Sequence, residues 1–93
     1  MSGSDYSPKI LIADDESILA MDLAARIQKL WSDAELLELC FDGKTAWEQI
    51  QEQSPDVVFL DINMPLQSGM QVSERMQQSQ TETRVVFVTA YQQ

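Results

Sequence analysis

Lys9-Ile10-Leu11-Ile12-Ala13-Asp14-Asp15-Glu16 decides the fold of this chain. Four apolar residues follow Lys9 without alternation, and three acids then stop the run. An unbroken apolar run of this length suits a strand buried on both faces, as inside a parallel sheet. The pattern returns twice. Val57-Val58-Phe59-Leu60 is a second such strand, ending at Asp61, and Val85-Val86-Phe87-Val88 within 84–89 is a third, predicted to be buried. A less apolar strand is predicted over 36–41, closed by Asp42-Gly43; Glu38 on its face puts it at a sheet edge.

Helical patterns fill the intervals. Ser17 is placed to cap the first helix, in which Ala20, Leu23, Ala24, Ile27, Leu30 and Trp31 recur at spacings of three and four and form one inward stripe. Asp42 can cap a second helix bearing Ala46, Trp47 and Ile50, which ends at Ser54-Pro55 because a residue before Pro avoids helical geometry. A third helix is predicted from about Gly69 to Gln78, with Met70 and Met76 inward. The order β-α-β-α-β-α-β at this spacing predicts a parallel sheet with right-handed crossovers and helices on both faces. Residues 1–8 read as a loose tail and 9–93 as the folded domain.

Composition narrows the function. The 93 residues fit one domain. Six basic against fifteen acidic side chains give a net charge of −9. That balance argues against a nucleic-acid surface, which needs a basic footprint, and against an anionic membrane. The chain has no His, so His–metal sites, Ser–His couples and phosphohistidine carriers are excluded. The single Cys40 allows no internal disulfide and reads as a small core residue; no apolar run spans a membrane and 1–8 has no signal core. A cytoplasmic location is expected.

The chemistry lies at the strand ends. Asp14 and Asp15 follow the first strand and Asp61 follows the third. In an open α/β sheet the ligand crevice lies outside the carboxyl ends of the strands, and if these strands are neighbours the three acids meet there. Two unit charges about 4 Å apart repel by about 4 kcal/mol at an effective dielectric of about 20. Such a cluster must take up a proton or bind a cation. Oxygen-only ligands without His or Cys point to Mg²⁺. Thr89 ends the fourth strand in the same crevice, where its hydroxyl can donate to an oxyanion on Asp61; Pro65 and Gly69 read as a rigid turn and a helix entry.

Taken together, residues 10–16, 57–65, Ser68-Gly69 and 85–90 resemble a response-regulator receiver domain of two-component signalling, and Val88-Thr89-Ala90-Tyr91 resembles receivers of LytTR-type regulators more weakly. The resemblance implies a flavodoxin-like doubly wound α/β sheet of order 2-1-3-4. It implies that Asp61 accepts a phosphoryl group from a histidine kinase or phosphotransfer protein. Asp15 and Asp61 would ligate Mg²⁺ directly and Asp14 partly through water, while Asn63 would supply its backbone carbonyl. Thr89 would be the switch residue, Ala90 the small neighbour of the phosphoryl, and Tyr91 and the Asn63 side chain would tune dephosphorylation. The family's fifth strand, last helices and Lys after strand five have no counterpart before Gln93, and the lysines are Lys9, Lys29 and Lys44. The expectation is therefore a truncated receiver, labelled slowly or not at all by itself, with an absent output for transcription regulation.

Two other readings compete. A phosphorylation-independent interaction module would use the same fold only for binding. An aspartyl-phosphate phosphohydrolase resembling the haloacid dehalogenases needs a second Asp two residues after its nucleophile, where this chain has Asn63. Losing strand five leaves an apolar strand-four edge without charge or Pro, which predicts a homodimer through that edge.

Overall fold

A computed structural model describes residues 7–88. Seven elements alternate along the chain: β1 (Lys9–Ala13), α1 (Ser17–Leu30), β2 (Glu35–Leu36), α2 (Gly43–Gln53), β3 (Val57–Asp61), α3 (Gly69–Gln78) and β4 (Arg84–Val88). The sheet is parallel, in the order β2-β1-β3-β4. β1 and β3 are neighbours, with Ile10 opposite Val57 and Ala13 opposite Leu60. This is the doubly wound α/β arrangement expected from the three apolar runs.

Each face of the sheet carries its own core. Leu11, Ala13, Val58 and Leu60 pack with Ala46, Trp47 and Ile50 of α2 and Val72 and Met76 of α3. Ile10 and Ile12 pack with Ala20 and Ile27 of α1, and Phe59 joins them. Side chains alternate along a strand, so a continuous apolar run feeds both cores at once. Burying one Leu or Val of this kind contributes about 1.5–3 kcal/mol. On α2 the Asp42 carboxylate accepts from Thr45 N–H at 2.7 Å, the cap expected from sequence. Arg75 of α3 lies 5.7 Å from the Trp47 ring centroid and covers the seam between the two helices.

β2 departs from expectation. Its ladder stops at Leu36, and Cys40 rejoins β1 as an isolated bridge to Ala13. Ile10 pairs with Leu36 and Ala13 with Cys40, so three residues of the edge segment face two of β1. That is a one-residue bulge. Leu36 and Leu39 join the α1-side core while Leu37 packs against the other, which also holds Cys40. Strict alternation cannot put residues three apart on one face, so Glu38 is the residue turned out, and it is exposed.

Five smaller corrections concern burial and caps. Glu16, not Ser17, is the N-cap of α1, and no side chain caps it. Leu30 is 87% exposed and Trp31 44%: the helix ends at Leu30, and Trp31 with φ −139° has already left helical geometry. Met70 is half exposed because the inward stripe of α3 is Gly69, Val72 and Met76, one residue out of step with it. β4 is not a buried strand; Val86 and Phe87 are 43% and 42% exposed, since β3 is its neighbour on one side only among the described residues. Pro8, read as tail, is buried, and its carbonyl accepts from Glu35 N–H at 2.8 Å.

Candidate acidic site

The carboxyl ends of β1 and β3 bring the three acids together. Asp14, Asp15 and Asp61 each offer a carboxylate oxygen, and these oxygens all lie within 4.8 Å of one another. Asp14 and Asp61 are buried and Asp15 is exposed. The backbone explains the placement. Asp14 Oδ1 accepts from Glu16 N–H at 2.9 Å, and Asp61 Oδ1 accepts from Asn63 N–H at 3.3 Å. Both acids thus bond the amide two residues on, the Asx turn by which a chain leaves a strand. Asp14 N–H donates in turn to the Cys40 carbonyl at 3.0 Å, tying the site to the bulged edge.

The electrostatics follow from this crowding. Burial raises the Asp61 pKa from 3.8 to about 6, helped by the Asp14 charge and by side-chain hydrogen bonds with Asp14 and Asp15; the Asn63 N–H opposes the rise. The Cys40 thiol is pushed up to about 11 by burial and by Asp42 and Glu38, which keeps it an inert core group. The donor set is oxygen only, anionic and partly open to solvent through Asp15, and this fits a hard divalent cation that keeps several waters.

The segment 62–68 forms the rim. Gly69 N–H donates to the Ile62 carbonyl at 2.8 Å, and Gly43 N–H and Gln67 N–H donate to the Pro65 carbonyl at 3.2 and 2.8 Å. Ser68 and Gln71 exchange hydrogen bonds as a capping box that starts α3. Thr89, Ala90 and Tyr91 lie outside the described residues; Val88, opposite Asp61 in register, is the last one described. Lys9 is at the other end of the sheet, where its Nζ donates to the Gln53 carbonyl at 3.3 Å. A cleft of about 490 Å³ at the amino ends of β3 and β4, lined by Ser54, Asp56, Thr83 and Arg84 among others, includes none of Asp14, Asp15 and Asp61. Sequence reasoning did not single out Gly43 or Leu66; the Asp42-Gly43 step was the available signal for the first.

Known proteins carry the same pattern. The family described as the response regulator receiver domain matches residues 10–93. An uncharacterized response regulatory protein of Vibrio cholerae is 40% identical over 87% of this chain and 31% of its own length. The sensory transduction protein LytT of Bacillus subtilis is 32% identical over 91% of this chain and 35% of its own. The chain therefore spans about a third of the length of these curated relatives. Among solved structures, a DNA-binding response regulator of the LuxR family from Staphylococcus aureus superposes with a TM-score of 0.83 at 31% identity, covering 92% of this chain and 71% of that one. The response regulator domain of Thermotoga maritima CheB gives 0.80 at 28% identity, covering 91% and 62%.

Proposed function

The chain belongs to the response regulator receiver domain family, and from that premise we propose that Asp61 is the phosphoacceptor of a two-component phosphorelay. The observation that carries this is the trio of carboxylate oxygens within 4.8 Å at the ends of two adjacent parallel strands. In the proposed step an Asp61 carboxylate oxygen attacks the phosphorus of a phosphohistidine on a kinase or phosphotransfer protein. The P–N bond breaks, the imidazole leaves with its electron pair, and Asp61 becomes an acyl phosphate. Asp14, Asp15 and Asp61, with the Asn63 carbonyl, would hold Mg²⁺, whose charge offsets that of the transferring phosphoryl group. Burial strips water from Asp61, and the Asn63 N–H orients one of its oxygens.

The acyl phosphate adds a charge of about −1.5 to −2. Thr89 would then donate to it as the switch, biasing the surface around β4 toward one of two arrangements. The domain works as a signalling switch in the cytoplasm, with phosphoryl self-transfer and slow loss as its chemistry. The resemblance to a DNA-binding response regulator makes transcription regulation the output that this switch would serve. Among the described residues no helix is long and apolar enough to cross a membrane. The outer edge of β4, with Val86 and Phe87 half exposed, would pair with a second copy of the chain.

A phosphodonor trap with a phosphohistidine protein and Mg²⁺ tests the reading. Labelling that persists for minutes and disappears in Asp61→Asn supports it. Labelling that survives Asp61→Asn, or no labelling in the full-length protein, overturns it; the latter favours a phosphorylation-independent module, and multiple turnovers of donor would favour a phosphohydrolase.

A further inference from the structure

We infer that Gly43 is a positioning residue for the acidic site, through a clamp between the start of α2 and the 65–67 turn; this rests on the Mg²⁺ site proposed above. Gly43 has no positive φ, so its requirement is space rather than backbone freedom. A Cβ at this position would overlap the Gln67 carbonyl oxygen and crowd its carbonyl carbon and Cβ. The atom it would strike first is backbone, which cannot swing aside as the end of a side chain does. The same glycine donates its N–H to the Pro65 carbonyl.

The turn it holds is strained. Gln67 N–H bonds the Pro65 carbonyl two residues back, with Leu66 between them at φ 71°. A γ-turn with positive central φ is rare, and a non-Gly residue there costs free energy that neighbouring contacts must offset. Leu66 is exposed and brings no packing of its own to the turn. The offset comes from the helix starts: Gly43 against 65–67, and Gly69, whose N–H holds the Ile62 carbonyl. Between these two pins lies Asn63, bonded to Asp61. Asp42 fixes the α2 start by accepting from both Thr45 N–H and Thr45 Oγ1. Moving the α2 start by the width of a methyl group therefore moves the rim of the site, although Gly43 ligates nothing.

Calorimetric titration of the chain with MgCl₂ tests this. Binding by the unaltered chain tests the proposed site; the comparison with Gly43→Ala tests the clamp. The variant is expected to bind Mg²⁺ about 10- to 100-fold more weakly, the range for residues that orient metal ligands from behind. Ile50→Val, in the core on the same helix, should melt earlier yet keep its Mg²⁺ affinity, which separates positioning from stability. Unchanged affinity in Gly43→Ala overturns the inference, and so does an equal loss in Ile50→Val. If Gly43→Ala does not fold, Mg²⁺ titrated into the isotope-labelled unaltered chain decides. The Gly43 amide resonance should shift with the midpoint seen for Asp61 and Asn63, while that of Glu52 at the far end of α2 stays put. A Gly43 amide that does not move overturns the clamp.

Discussion

Gly69 and Asp61 are in backbone contact: a Cβ on Gly69 would overlap the Asp61 carbonyl oxygen. The helix that follows the acidic site thus starts against the backbone of the residue at its centre. Gly69 has no positive φ, so the contact and not the conformation demands glycine. Gly69→Ala should lower unfolding free energy by about 1–3 kcal/mol, the usual cost of forcing a methyl into a packed site. Urea unfolding measures it; a variant as stable as the parent would show that the α3 start yields freely.

The raised pKa of Asp61 has a signed consequence for stability. Its folded value, about 6, lies above the ordinary 3.8, so the folded protein holds this proton more tightly than the unfolded chain. The stabilising contribution is complete below the lower value and is lost as pH rises to the upper one. Without divalent cation, Asp61→Asn should therefore be more stable than the parent at pH values above about 6 and level with it below about 4. Mg²⁺ should shrink the difference by stabilising the charged parent. Melting curves with chelator and with MgCl₂ check both arms, and a parent that gains stability relative to Asp61→Asn from pH 4 to 6 in chelator would refute the sign.

The β2 bulge predicts two deletions of opposite outcome. Removing Glu38 leaves Leu36, Leu37, Leu39 and Cys40 in strict alternation, with each side chain on the face it occupies now. Removing Leu39 instead carries Glu38 to the inward position beside the α1-side core. The first deletion should be tolerated, and the second should cost several kcal/mol, since it buries a carboxylate without a partner. Comparable unfolding midpoints for the two would mean that the edge segment has no fixed register.

What could be read from sequence tracks the physics that acts locally. The run at 10–13 is buried on both faces as its unbroken apolar pattern predicts, whereas the run at 57–60 is buried only through Val58 and Leu60, with Val57 and Phe59 half-buried on the other face; the acids at 14, 15 and 61 then fall at one end of adjacent strands. The cap at Asp42 was legible for the same reason. The bulge was not, because 36–41 looks like a strand with one acidic residue, and only the odd spacing of Leu37 and Cys40 betrays it. The clamp at Gly43 depends on where Gln67 arrives from a different part of the chain, which no local pattern carries. Leu30 and Trp31 continue the apolar stripe on paper, but Leu30 is the last helical residue and points to solvent, and Trp31 has already left the helix.

The β4 edge sets the last expectation. Val58 opposite Val85 and Leu60 opposite Phe87 hold the inner side of the strand. On the outer side the backbone groups of 84–88 have no strand partner among the described residues, and Val86 and Phe87 add exposed apolar surface. A two-fold axis at Val86 would pair two such edges antiparallel, placing Val85 of each copy opposite Phe87 of the other. The charge of −9 opposes this, but screening limits repulsion to a Debye length of about 8 Å at physiological salt. The chain should sediment as a dimer at high micromolar concentration, and Val86→Lys should shift it toward monomer by placing a charge in the paired edge. A monomer for the unaltered chain under those conditions would remove the edge as an assembly surface, while a dimer indifferent to Val86→Lys would place the contact elsewhere on the molecule.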